Sequence, residues 1–166
     1  TGAAAGAGAL IAMGTAAFAL GQEVDDAMLM IQARTGAAGD ELVSMKETFL
    51  DLRRANDEAT ESIQNALIGV VQKFHLTGDA LKETTQATIN YADALRRDAG
   101  EATMGLTRAM KAMGTEASRT VEVTDLIVAA SQRYGISGAE VESVLSHQAV
   151  TFKALGLDIK DVITLY

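Results

Sequence analysis

The sequence predicts an all-α fold, a long N-terminal helix followed by a compact array of about seven short antiparallel helices, and three observations carry that prediction. Apolar residues recur at three- and four-residue steps along most of the chain. Proline is absent and aromatics make up only 4% of a chain that is 48% hydrophobic, so the apolar inventory is Ala, Leu, Ile, Val and Met. Such residues suit close helix packing, and without proline the helix breaks must come from Gly and caps. Finally, one short phrase occurs three times: Phe74-His75-Leu76-Thr77-Gly78-Asp79-Ala80-Leu81, Tyr134-Gly135-Ile136-Ser137-Gly138-Ala139-Glu140-Val141, and Leu155-Gly156-Leu157-Asp158-Ile159-Lys160-Asp161-Val162. Each copy ends a helix on a large apolar residue and opens the next on Thr, Ser or Asp, whose side chains accept hydrogen bonds from free N–H groups. Ser137 with Glu140 is a capping box, and Asp158 with Asp161 repeats the spacing with a shorter acid. Gly135 and Gly156 stand where the preceding helix needs a left-handed exit.

Residues 1–34 read as one Ala/Gly-rich helical arm, with Leu10, Met13, Ala17, Val24, Met28 and Ile31 in one stripe. At its tip Gly2, Gly6 and Gly8 each cost roughly 1 kcal/mol relative to Ala, so the isolated tip is expected to fray. A turn over Thr35 to Gly39 separates the arm from a second unit, residues 40–166. Its first helix, Glu41 to Ala55, carries Leu42, Met45, Phe49 and Leu52 inward, and Asn56 or Asp57 is expected to cap the next. There Ile63, Ala66, Leu67, Val70, Val71 and Phe74 make the cleanest apolar face of the chain. The helix opened by Thr77 has a thinner face, Leu81, Thr85, Thr88, Ile89, Ala92 and Leu95, whose small members let a neighbour approach. A further helix from about Glu101 to Met113 points Leu106, Met110 and Met113 inward, until Gly114-Thr115 breaks it and caps its successor. That successor buries Val123, Leu126, Ile127, Ala130 and Tyr134. After Ser137 one helix is expected to bury Val141, Val144, Leu145, Phe152 and Leu155, with Val150 opposite and therefore covered on a second side. The last helix starts after Asp158 and is still apolar at Val162, Ile163 and Leu165; together with Thr1 in place of Met, it is read as part of an excised piece.

The net charge is −8 and the basic residues are scattered, so no basic stripe is available to grip a nucleic-acid backbone. Cysteine is absent, which removes disulfide and thiol chemistry. His75 ends one helix, where a positive charge complements the dipole, and His147 lies on a helix flank; neither has a His at i+3 or i+4 to share a metal. The acid pairs Asp25-Asp26, Asp40-Glu41 and Asp57-Glu58 are sequence neighbours that point apart, so they read as solvated or capping groups rather than a carboxylate pair. The glycines of the tip lack the preceding strand and the following Lys-Ser/Thr of a phosphate loop. Most of the methionines follow the apolar stripes as adaptable packing, a sticky partner groove being the alternative. No nucleophile–base pair and no metal set can be assembled, so the expectation is a non-enzymatic chain without a cofactor.

From about Val24 to Tyr166 the chain resembles the conserved helical region of tail tape-measure proteins of long-tailed bacteriophages. The resemblance rests on Ile31-Gln32-Ala33-Arg34-Thr35-Gly36, on Phe74 to Thr85, and on Ala99-Gly100-Glu101-Ala102-Thr103-Met104-Gly105-Leu106-Thr107-Arg108-Ala109-Met110. It continues through Ala112-Met113-Gly114, Tyr134-Gly135-Ile136-Ser137 and Phe152 to Asp158. Each piece alone is only a capped helix; their order and spacing over about 90 residues carry the match. The resemblance implies a structural protein of the virion tail lumen, present in the host cytoplasm during assembly. Such proteins template tube polymerisation, have lengths that correlate with tail length, and leave the tube ahead of the DNA.

The expected work is burial of helix faces against copies of the chain itself, tail-tube or initiator proteins, or an assembly chaperone. The interface candidates are Gly2, Gly6, Leu10, Met13, Ala17, Val24, Met28 and Ile31 on the arm, and Val162, Ile163 and Leu165 on the last helix. Two rival readings have their own signals. Residues 3–20 carry no charge and are barely long enough to span a bilayer, which would make a membrane-active helical pore used in genome delivery. A generic adaptor array with a peptide groove would need a constant repeat length, which the spacing of the three phrases does not give.

Overall fold

The computed structural model describes residues 21–165, and among them the chain is all helical, with no strand. α1 covers residues 21–35. It is followed by α2 (Asp40–Ala55), α3 (Thr60–Phe74), α4 (Gly78–Ala94) and α5 (Ala99–Met113). A 3-10 turn at Ala117–Arg119 leads into α6 (Thr120–Tyr134), α7 (Gly138–His147), α8 (Ala149–Ala154) and α9 (Ile159–Thr164). The first part of the predicted arm lies outside the described residues.

α5 lies at the centre, packed against α3, α4, α7 and α8, while α4 also touches α2, α3 and α6. The seam between α3 and α5 is the closest, and small residues make it so. A Cβ added at Gly100 would lie 2.6 Å from Asn65 Cβ, and one at Gly69 would lie 3.2 Å from Thr103 Cγ2. Ala66, Ala99, Ala102 and Ala109 are fully buried between the larger Ile63, Leu67 and Leu106. Threonines fill much of what remains: Thr85, Thr88, Thr103 and Thr107 are almost wholly enclosed. Thr85 and Thr107 donate to the carbonyls of Leu81 and Thr103, each at 2.7 Å, which satisfies a buried hydroxyl within its own helix. Thr103 Oγ1 has no partner.

Both predicted capping boxes are present, Ser137 with Glu140 and Asp158 with Asp161. Gly135 and Gly156 take left-handed conformations, at φ 68° and 74°. The first copy of the phrase is built differently. Its left-handed exit is His75, at φ 55°, and Thr77 stands at the N-cap position without a capping side-chain bond.

Several expectations are corrected. Asn56 and Asp57 do not cap α3, whose N-cap is Ala59. Asn56 instead donates to the Leu52 carbonyl at 2.7 Å and pairs with the Gln86 amide, so it closes α2. Thr115 does not open α6, because the 3-10 turn intervenes. Tyr134 is 46% exposed at the end of α6, where the Arg133 guanidinium lies 5.5 Å from its ring. The single helix expected after Ser137 divides at Gln148. That break shifts the apolar stripe, leaving Phe152 partly buried, while Val150 and Leu155 are 82% and 69% exposed rather than covered.

Candidate interaction surfaces

Three residues from separate elements meet in the interior. Glu142 of α7 is only 4% exposed, and its Oε1 accepts from the Tyr91 hydroxyl at 2.6 Å and from Arg97 Nη1 at 2.7 Å. Glycines make the room. A Cβ at Gly105 of α5 would fall 2.0 Å from Glu142 Oε2, and one at Gly138 would fall 2.8 Å from the Tyr91 hydroxyl. Burial and the neighbouring carboxylate push the Tyr91 phenol well above its ordinary range, so it remains a donor. Burial disfavours the Arg97 charge, and Glu142 more than offsets that, holding the guanidinium above its ordinary value. A buried charge with two hydrogen-bonding partners locks α4, α5 and α7 together rather than reacting with anything. The sequence reading missed this cluster. Its one signal was an acid on the inward arc of α7, beside Val141 and Leu145.

A second set of carboxyls lies where the α2–α3 loop meets the end of α4 and the start of α5. The Glu58 carboxyl is raised by its hydrogen bond with Asp93, then by burial and by the charges of Asp93 and Asp98. Burial also pushes Asp98 up, but the hydrogen bonds it accepts from Ser62 and from the backbone N–H groups of Glu101 and Gly100 prevail, and it lies below its ordinary range. Asp98 is thus the N-cap of α5. No group of three or more metal-ligating side chains exists among the described residues. His75 is exposed, and His147 is exposed with Nδ1 2.8 Å from the Ser143 carbonyl oxygen.

The interface candidates divide into three groups. Gly2, Gly6, Leu10, Met13 and Ala17, with the proposed membrane contact over 3–20, lie outside the described residues. Met28, Ile31, Val162 and Ile163 are buried in the chain's own core, and Val24 packs against it half-buried. Leu165 alone among the described candidates faces outward, at 74% exposure. Other large apolar side chains at the surface include Leu29, Val43 and Val121. Among the described residues no helix is long and apolar enough to cross a membrane.

A depression follows the seam of α4 and α6. Two adjoining hollows of about 380 and 480 Å³ share Ala87, Asn90 and Val121. Ala87 is buried in the floor, and Val121 is 60% exposed on the α6 side.

A family model described as phage-related minor tail protein matches residues 58–166, which takes in every helix from α3 to α9. No curated protein and no solved structure matches the chain.

Proposed function

Because the chain belongs to the phage-related minor tail protein family, with a structural role in the virion tail, we propose that it is a segment of a tail tape-measure protein. It acts in tail assembly and length determination within the tail lumen and leaves during DNA ejection. The match to the family over residues 58–166, in the same stretch that holds the three helix-ending phrases, carries this reading. In it, residues 40–166 are a folded array attached to the ruler, not the ruler itself. The longest helix among the described residues, α4, has 17 residues, a rise of roughly 25 Å, and the helices pack against one another around α5. The chain works without catalysis, through helix faces offered to copies of itself, to tube or initiator proteins, or to an assembly chaperone. Residues 1–34 are the candidate measuring stretch, since one continuous helix of that length would rise roughly 50 Å, with α1 at its end anchored in the array through Met28 and Ile31.

Electron microscopy of tails tests this reading. A phage carrying an in-frame duplication of residues 1–34 is expected to build tails longer by roughly one such helix. Unchanged tails would remove the measuring role from the arm.

A further inference from the structure

We infer that the α4–α6 groove is a docking site for a basic amphipathic helix of a partner protein. The inference stands apart from the measuring role, since it concerns a folded surface and not the length of the arm.

The groove combines apolar side chains with Asn90, Thr124 and Gln132, under an acidic rim. Ala87 and Tyr91 form its base, Val121 and Val128 its α6 wall, and Ala94 and Ala129 line it at the surface. Asp79, Glu83 and Asp125 stand along the edge. Among the described residues, Lys82 is the only cation that lines the groove, and its Nζ is bound to Asp51 Oδ2 at 2.6 Å. The edge therefore carries uncompensated negative charge.

That chemistry selects its occupant. Helices on both sides offer no free backbone edge, so an extended peptide would leave its own N–H and C=O groups unpaired, whereas a helix satisfies them internally. From Asp79 to Ala94 the groove follows about four turns of α4, roughly 22 Å, which suits a partner helix of about 15 residues. Lys or Arg flanking the partner's apolar face would meet Asp79, Glu83 and Asp125. An anionic lipid surface would be repelled by the same rim. A second copy of the chain would bring its own net charge of −8 against it.

Fluorescence anisotropy with the full chain tests the assignment. The probe is a labelled 15-residue peptide with Leu and Ala on one helical face and Lys elsewhere; its control carries Glu in place of Lys. The Lys peptide is expected to bind at least tenfold tighter than the Glu peptide, and less tightly as salt rises. Two variants separate docking from simple charge attraction. Ala129→Trp fills the groove without altering charge and is expected to weaken binding at least tenfold, with the circular dichroism spectrum unchanged. The triple variant D79K/E83K/D125K is expected to reverse the preference between the peptides. Binding that Ala129→Trp leaves intact, no preference between peptides, or no binding of the Lys peptide would each overturn the assignment. So would a dimer in sedimentation that Ala129→Trp abolishes, because the occupant would then be a second copy. None of these results bears on tail length, so this inference and the tape-measure reading fail separately.

Discussion

Two seams of the same bundle use small residues to opposite ends. Between α3 and α5, Gly69 and Gly100 bring the helices together until an added Cβ would be tight at Gly69 and would clash at Gly100, whereas between α4 and α6, Ala94 and Ala129 line an open hollow. A small residue facing a neighbour closes a seam; a small residue with nothing over it leaves a groove. The difference lies in what stands opposite, which composition alone does not state. The α5–α7 contact adds a third arrangement, in which Gly105 makes space for a buried carboxylate.

The largest effect that would break this contrast is expected at Gly105. Gly105→Ala drives a methyl into the Glu142 carboxylate, which Tyr91 and Arg97 hold in place. Separating a buried ion pair in this way is expected to cost roughly 3 kcal/mol, read by urea denaturation. In the double variant with Glu142→Ala the same methyl should cost far less, and strict additivity would contradict the assignment.

Gly100→Ala comes next. Its Cβ would meet Asn65 Cβ, an atom fixed to the backbone, and a cost of roughly 2 kcal/mol is expected from overpacking. Ala94→Ser, in the groove, should stay within about 0.5 kcal/mol of the parent. Equal losses at the two sites would erase the distinction between the seams.

Thr103→Val sharpens the closed seam from the other direction. It retains the methyl that meets Gly69 and removes a buried hydroxyl without a partner, so a gain of about 1 kcal/mol is expected in the same assay.

The smallest expected effect is a pH dependence. Glu58 has a raised carboxyl in the folded chain, so the folded state holds its proton to higher pH than the unfolded state. Its contribution is fully present below the ordinary Glu range and is lost as pH rises through the raised value. Asp98, lowered, runs the other way: its contribution is present above the ordinary Asp range and is lost as pH falls. Glu58→Gln should therefore flatten the decline of stability on the alkaline side of the Glu range and leave the acid limb intact. Denaturation curves collected from pH 3 to 8 would show it, and an unchanged alkaline slope would rule out the Glu58–Asp93 contact as its source.

Much of the fold was legible because its signals are local. The capping boxes at Ser137 and Asp158, the left-handed glycines and the face of α3 each need only a few neighbouring residues. Gly114 likewise ends α5 as its position predicts. What escaped was non-local. Tyr91 and Arg97 lie 51 and 45 residues from Glu142, and nothing in the residues around either announces the pairing. Gly105 and Gly138 read as weak helix formers until their partners are known. The break at Gln148 carries neither glycine nor proline, and it decides that Val150 faces out. The groove was illegible for the same reason, since it belongs to two helices separated by a third.

The threonines that fill the core bear on how the protein responds to temperature. When a valine core unfolds, apolar hydration raises the heat capacity, whereas exposed hydroxyls lower it. A core in which Thr85, Thr88, Thr103 and Thr107 occupy enclosed positions should therefore have a smaller heat-capacity increment than a valine core of the same shape. Its stability curve is correspondingly flatter, so the folded array changes less in stability as temperature moves away from the optimum.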